Sequence, residues 1–466
     1  MNQGKSILKN TLIYALGNFG SKVLAFLLLP LYSYYLTKDE FGTYDVFLVT
    51  ISFLSPILSL QIMDAAYRWL IDVKDDINKT KTIIVNGFVI ITILSAFFVL
   101  IFMIILRYKK IEYSGYFLLL LLTGLYVPYF QKVLRGLGKN MKYAISGILY
   151  TFLLLSLNIL LLTVLHLKVE SLFIASIIAN LFILIYVLFQ INIKGIFNFK
   201  NFDRKEAENM IKYSMPLVPN AFSWWLINAS DKYLILYFIG LEANGIYAIS
   251  TRFPAIIMLL NSVFLMAWQD HGISGGVEKK DMEFYSKLFN KFIILEMTVV
   301  LFLIAISPYL IKYLISPDYI EAWKYLPLLF IGTAFSAFAA FVGVGYQRNK
   351  KTKGILITSL IGGIVNFITS YFLIPIIGLY APALGTLISF LVVYILRKRE
   401  TNTFFKINVD NKLFMFLILI SLFFSYLVTI NNIYLNTGLV IFSIIILIIF
   451  NKEIITKILK VIKGHL

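Results

Sequence analysis

The sequence predicts an all-α polytopic membrane protein of about 14 transmembrane helices, with two pseudo-symmetric six-helix lobes in a V around a central cavity and two extra C-terminal helices. Three features predict it. Apolar segments of spanning length recur along the chain, positive charge sorts into alternate connections, and a sequence pattern returns about 203 residues further on.

The apolar segments follow from composition. Of 466 residues, 60% are hydrophobic and only 14% charged, and mean hydropathy is +0.85. An ordinary soluble domain carries roughly 25% charged residues. Crossing a hydrocarbon layer of about 30 Å as a helix takes about 20 apolar residues. Such windows lie near 10–36, 43–66, 82–106, 114–131, 143–165, 169–192, 214–239 and 243–268. Six more lie near 289–308, 322–346, 354–374, 379–396, 413–430 and 433–450. A transmembrane β-barrel would need short segments alternating in polarity, whereas Phe117 to Leu122 and Ile444 to Phe450 are apolar throughout. The connections are short and leave no room for a soluble catalytic domain.

Cysteine is absent, which excludes disulfides and thiolate chemistry, and the three histidines, His166, His271 and His465, lie far apart. No metal or cofactor is expected. Met1 to Asn10 is polar, and the apolar stretch after it is longer than a signal-peptide core, so it reads as the first retained span.

The formal charge of +18 becomes informative once sorted by side. With the N-terminus inside, most Lys and Arg fall in cytoplasmic connections; Arg107, Lys109 and Lys110 form the one dissenting loop. Both termini are therefore expected in the cytoplasm. Charges in short loops face an anionic leaflet, which argues against nucleic acid as the partner and for membrane lipids.

The repeat sets Lys9-Asn10-Thr11, leading to Glu40-Phe41-Gly42-Thr43-Tyr44, against Lys212-Tyr213-Ser214, leading to Ala243-Asn244-Gly245-Ile246-Tyr247. A weaker match aligns Asn158 with Asn366 and Tyr186 with Tyr394. An even number of spans separates the copies, so the repeats run parallel in the membrane. The expected organisation is an N-terminal lobe at 1–192, an interfacial cytoplasmic connector at 193–213, a C-terminal lobe at 214–400, and a helix pair with a basic tail at 401–466.

A charge at the bilayer centre costs about 2.5–3.5 kcal/mol on insertion scales, so each one is a candidate functional residue. Lys22 lies mid-span, at the end of a stripe formed by Asn10, Tyr14 and Asn18 at every fourth position. The seventh span repeats this spacing with Asn220, Trp224, Asn228 and Lys232, beside Asp231. Arg252 reaches a similar depth in the eighth span. One reading is an Asp231 to Arg252 ion pair that locks the hairpin. The other is a cationic patch of Lys22, Lys232 and Arg252, lined by Asn18, Asn220 and Asn228, which holds the phosphates of an anionic substrate in a wet cavity. Asp45, Asp231 and Glu296 are candidates for coupling to H+ or Na+. Asp64 and Arg68, at i, i+4, form a structural pair or a cytoplasmic gate.

Several stretches resemble the Wzx-type oligosaccharide-lipid flippases of the multidrug, oligosaccharidyl-lipid and polysaccharide exporter (MOP) superfamily. Leu36-Thr37-Lys38-Asp39-Glu40-Phe41-Gly42-Thr43-Tyr44 resembles the family's first external turn. Tyr213-Ser214-Met215-Pro216-Leu217-Val218-Pro219 with Asp231-Lys232 and Gly245-Ile246-Tyr247 resembles the start of its second lobe, where Asp-Arg is usual. Val365-Asn366-Phe367 with Leu373-Ile374-Pro375-Ile376-Ile377-Gly378 resembles its asparagine and Ile-Pro-x-x-Gly signature. The resemblance implies a MATE-like fold in a bacterial cytoplasmic (inner) membrane. It implies a cargo of oligosaccharide repeat units on undecaprenyl pyrophosphate, flipped for O-antigen or capsule synthesis beside polysaccharide polymerase and chain-length proteins. Lysine at position 232 weakens the case for bidentate phosphate contact there. A drug and cation antiporter would favour carboxylates in the cavity, and a membrane glycan polymerase or ligase would carry a large external loop. The longest external loop, near Tyr309 to Glu321, is short and holds no paired carboxylates or nucleophile, so no enzymatic chemistry is expected.

Overall fold

Helix is the only regular structure among the described residues, and no strand occurs there. A computed structural model describes residues 26–73, 75–191, 198–274, 279–349, 351–453 and 456. Contacts divide the chain into a first unit, Met1–Trp225, and a second, Leu226–Leu466.

In the first unit α1 covers residues 26–35. It is followed by α2 (Lys38–Ser59), α3 (Ile62–Val73), α4 (Ile77–Tyr108), α5 (Ser114–Gly136), α6 (Asn140–Ile159), α7 (Lys168–Ile191), the connector helix α8 (Arg204–Ser214) and α9 (Leu217–Asn228), whose last residues cross the division. Thr37 starts α2 through a reciprocal cap: its Oγ1 accepts from Glu40 N at 3.3 Å, and Glu40 Oε2 accepts from Thr37 N at 2.9 Å. The second span ends where Leu60 and Gln61 take left-handed backbone angles, φ 47° and 53°, a conformation unusual outside glycine that turns the chain into α3. Helix α5 lies at the core, with Leu121, Leu125, Tyr129, Val133 and Leu134 packed against Ala65, Ala66 and Leu70 of α3 and Ile183 and Val187 of α7. Lys139 closes the end of α7 by donating to Gln190 O at 2.8 Å and Ile191 O at 3.0 Å, which suits a cation to exposed helix carbonyls. Burial, with Lys142 nearby, holds this ammonium below the usual lysine range.

The connector belongs to this unit by its contacts. Ala207 and Met210 of α8 join the core, Trp69 meets Tyr213 edge-on at 5.1 Å, and buried Asn86 of α4 both donates to Asp203 O and accepts from Asp203 N, each at 3.0 Å.

The second unit contains α10 (Ser230–Phe238), α11 (Leu241–Arg252), α12 (Pro254–Ser274), α13 (Lys279–Leu314), α14 (Leu326–Arg348), α15 (Thr352–Ile377), α16 (Tyr380–Thr401), α17 (Asn411–Thr429) and α18 (Ile433–Phe450). Helix α14 is the most enclosed because small residues let its neighbours approach: a Cβ at Gly332 would stand 3.2 Å from Leu387 Cα on α16. The pair α17–α18 docks on α13 through polar contacts. Asn290 bonds Asn408 O and Asp410 N, Thr298 bonds Asn451, and Tyr309 bonds Thr437.

Eleven helices among the described residues are long and apolar enough to cross a membrane, and the chain is a multi-pass membrane protein. The first expected span lies largely in residues 1–25, outside the described residues. The seventh and eighth are each divided, at Ala229 and Phe253, into helices shorter than the expected windows.

Replacing Asn86 with Ala removes both bonds to the connector, taking the acceptor from Asp203 N while Asp203 O keeps only its bond from Ala207 N. The expected cost is about 1–3 kcal/mol, read as a lower Tm of the detergent-purified protein; an unchanged Tm contradicts this account of the anchor.

Candidate functional site

The chain Asn228-Ala229-Ser230-Asp231 opposes a continuous helix because Asn, Ser and Asp side chains bond locally to backbone. The break falls at Ala229, φ −144° and ψ −19°, between α9 and α10. In a membrane the freed carbonyls need donors. Ser230 Oγ donates to Leu226 O at 2.6 Å, and Lys232 N–H reaches back only three residues, to Ala229 O. Asn366 of α15, fully buried, donates its Nδ2 to Ile227 O at 2.9 Å and lies 3.5 Å from Leu226 O. Glycine at 385 makes room: a Cβ there would stand 2.6 Å from Asn366 Oδ1 and 2.8 Å from Ser370 Oγ. Those two buried oxygens accept or donate no bond among the described residues.

The break presents Asp231 and Lys232 in the first turn of α10, 3% and 7% exposed. A carboxylate there stands at the positive end of the α10 dipole. Tyr247 of α11 is completely buried, and its hydroxyl makes no hydrogen bond among the described residues. The corresponding tyrosine of the first unit, Tyr44, shares a 3.1 Å hydrogen bond with Ser176. Both tyrosines come from the repeated Gly-x-Tyr pattern.

The structure distributes the other expected site residues. Arg252 ends α11 and is exposed, just before Pro254 opens α12. Asn220 is half-buried and Asn228 exposed. Lys22 and Asn18 lie outside the described residues. Asp45 is buried in α2. The hydroxyls near it in sequence, Ser52 and Ser55, donate to carbonyls of their own helix. Glu296 of α13, 5% exposed, accepts a 2.8 Å bond from Asn261 Nδ2 of α12.

The ion pair expected between Asp64 and Arg68 does not form. Lys132, carried on α5 where it packs against α3, takes Asp64 at 2.6 Å, and Arg68 reaches forward to Asp72 at 2.7 Å. Arg135 and Lys132 both lie over the Tyr67 ring, at 4.9 and 5.6 Å, a cation–π arrangement that spacing along one helix does not reveal.

Arg397 escaped the sequence reading. It stands in Leu396-Arg397-Lys398-Arg399, which reads as a loop charge run, yet it is 5% exposed. Its Nε donates to Thr358 Oγ1 at 3.1 Å, Nη1 to Ala339 O at 3.1 Å and Nη2 to Ser359 Oγ at 3.0 Å. The fork thus joins α14, α15 and α16 through neutral acceptors. Among the described residues no group of three or more His, Asp or Glu side chains assembles to hold a metal.

A family model described as polysaccharide biosynthesis protein matches residues 7–269. By sequence, no curated protein matches the chain. Among solved structures, the lipid II flippase MurJ in an inward closed conformation aligns with a TM-score of 0.69 at 15% identity, covering 96% of this chain and 100% of that one. An inward-facing multidrug resistance MATE family transporter of the MOP superfamily aligns with a TM-score of 0.62 at 13% identity, covering 84% and 95%. A MOP superfamily transporter from Pyrococcus furiosus, titled for the reverse polarity of its binding pocket, aligns with a TM-score of 0.53 at 11% identity, covering 86% and 96%. The fold is that of MATE and MurJ transporters.

Asn366→Leu keeps the volume but removes the donor to the broken helix. The expected penalty is about 1–3 kcal/mol, seen as a lower Tm, and Gly385→Ala should lower Tm in the same direction by pressing on the same side chain. Two variants as stable as the parent would exclude Asn366 as the support of the break.

Proposed function

Because the chain belongs to the polysaccharide biosynthesis protein family, we propose that it carries a lipid-linked oligosaccharide across the membrane, its phosphate groups met by basic side chains at mid-depth. The observation that carries this reading is the buried Asp231-Lys232 pair at the break in the seventh span. Hydrocarbon rejects charge, and an interrupted helix in a membrane protein is tolerated where it faces protein or a water-filled cavity. Discontinuous helices whose free N–H and C=O groups face substrate and ion are a recurring carrier device.

In this reading Lys22, Lys232 and Arg252 bind the anionic head of the cargo, and Asn18, Asn220 and Asn228 offer hydrogen bonds to its sugars. The lipid portion remains in the bilayer while two lobes alternate around the head. The cargo is an undecaprenyl-pyrophosphate-linked repeat unit, moved from the cytoplasmic leaflet to the outer one for O-antigen or capsule synthesis. A polymerase and chain-length proteins receive it. The membrane is the bacterial inner membrane, both termini are cytoplasmic, and the protein alters no covalent bond of the cargo. Directional movement draws on an H+ or Na+ gradient, for which Asp45, Asp231 and Glu296 are the candidate groups. Lysine at 232 meets phosphate as a mobile point charge, where arginine would form a planar fork.

Single replacement of Lys22, Lys232 and Arg252 by Ala, in a host lacking its own flippase, is expected to reduce surface polysaccharide at equal expression. Export at the parental level in all three variants would exclude a cationic cargo site built from these residues.

A further inference from the structure

Glu296 lies near the middle of α13 among apolar side chains, with Met297 and Val300 completely buried beside it. One turn before it, Phe292 stacks on Phe264 of α12 at 4.5 Å. Asn261, 7% exposed, supplies its single hydrogen bond among the described residues, Nδ2 to Oε1 at 2.8 Å. No cation lies within bonding distance of Glu296 among those residues.

The charged groups on the surrounding elements stand apart from this stretch of α13 in sequence, beginning with Asp281, Glu283 and Lys287 near the start of the helix, the last two exposed. On α13, Lys291 is bound to Glu453 at 2.6 Å, and Lys312 lies near the far end beside Tyr313. Helix α14 has no charged residue between Leu326 and Gln347, and α17 and α18 have none from Leu413 to Phe450. Arg348 donates to Gly272 O. On α12, His271 sits near the C-terminal end against Phe284 and Tyr285. The turn of 3-10 helix at Pro317–Tyr325 keeps Glu321 and Lys324 paired at 2.8 Å, with Asp318 on the same segment beyond the end of α13. Of the tyrosines, Tyr394 packs on Phe289 and Phe338, Tyr346 bonds Glu400, and Tyr309 bonds Thr437 and Ile433 O. Tyr426 of α17 and Tyr434 of α18 are exposed.

A carboxylate offers about four acceptor positions on two oxygens, and one amide N–H fills one of them. A carboxylic acid asks for less, since one oxygen becomes a donor and the other keeps the amide bond. The pocket therefore accommodates both protonation states without rearranging Asn261. Glu296 differs in this from Asp64 at the edge of the first unit, which meets Lys132 at 2.6 Å.

We propose that Glu296 is the proton-binding group of the transport cycle, with Asn261 positioning its carboxyl. The carboxylate takes one proton from water on one side of the membrane and returns it to the other, and no other bond changes. Protonation biases two conformations only so far as they bind the proton with different affinity. This rests on the carrier reading above, and the two can fail separately.

The test pairs infrared difference titration of the purified protein with transport of a lipid-linked oligosaccharide in proteoliposomes under imposed pH or sodium gradients. Glu296→Gln keeps an acceptor for Asn261, and Glu296→Asp keeps the acid if Gln fails to fold. The expected result is a protonated-carboxyl band that titrates in the parent, disappears in Glu296→Gln and is shifted in Glu296→Asp. Asn261→Leu should move its midpoint without removing it. Stimulation by a pH gradient should be lost in Glu296→Gln while downhill movement persists. A band and gradient response unchanged in Glu296→Gln overturn the proposal, as does stimulation by sodium alone. A titrating Glu296 band in a protein that moves no oligosaccharide supports the proton site and sinks the cargo assignment.

Discussion

A carbonyl released from a helix inside a bilayer has no water to bond, so a break in a spanning segment survives only where another part of the protein supplies a donor. At Ala229 that donor is the Asn366 amide, reaching from α15 to Ile227 O. Much of the second unit's arrangement follows from this bond. Residue 385 has no side chain because one would collide with Asn366 Oδ1, and α16 can then pack closely on α15. The break in turn starts α10 at Ser230 and sets the N-terminal N–H groups of a new helix beside Asp231. A continuous helix would have used those groups internally and left the aspartate in hydrocarbon with less to stabilise it.

The chain keeps its membrane-embedded charges in several distinct ways. Asp64 and Lys132 meet as a direct ion pair and remain about a third exposed, where solvent lowers the cost of both charges. Arg397, deeper, has no such contact among the described residues; three neutral oxygens from two neighbouring helices share its charge. A guanidinium suits this because its planar donors point in fixed directions and each finds an acceptor. Glu296 has one neutral partner and the option of losing its charge by protonation. These differences separate residues that hold helices together from one whose state can change. A bound cation locks a carboxylate in one form, and a network of neutral acceptors locks a guanidinium, but a single amide leaves a carboxyl free to exchange its proton.

What could be read from the sequence follows the same division. Span positions and helical class were legible because 20-residue apolar windows report directly on the hydrocarbon thickness. The cap at Thr37-Lys38-Asp39-Glu40, which in the sequence stood only as part of a repeat and a family-like turn, is made of local bonds within three residues. The repeated Gly-x-Tyr was visible as a pattern, but the hydroxyl partner of Tyr44, Ser176, lies 132 residues away in sequence and could not be read from it. The expected pairing of Asp64 with Arg68 rested on spacing along one helix. It missed Lys132 because the contact depends on how α3 packs across α5. Arg397 was hidden for a related reason: its neighbours Lys398 and Arg399 make the segment resemble a solvated loop, and only the fold turns one of the three inward.

The asparagines illustrate how far a repeat constrains function. Asn158 and Asn366 align in the weak internal match, and both are fully buried. Asn158 spends its amide on Leu154 O in its own helix, next to a widened turn at Leu160–Val164. Asn366 spends it on a neighbouring helix that is broken. The same residue type at corresponding positions thus bonds within its own helix in the first unit and supports a gap in another helix in the second. Duplication preserves the polar residue, while the local sequence Asn228-Ala229-Ser230-Asp231, with no counterpart among the described residues of the first unit's opening helix, decides what it must satisfy. The second unit's chain is interrupted at Ala229, and it is there that buried Asp231 and Lys232 begin a new helix.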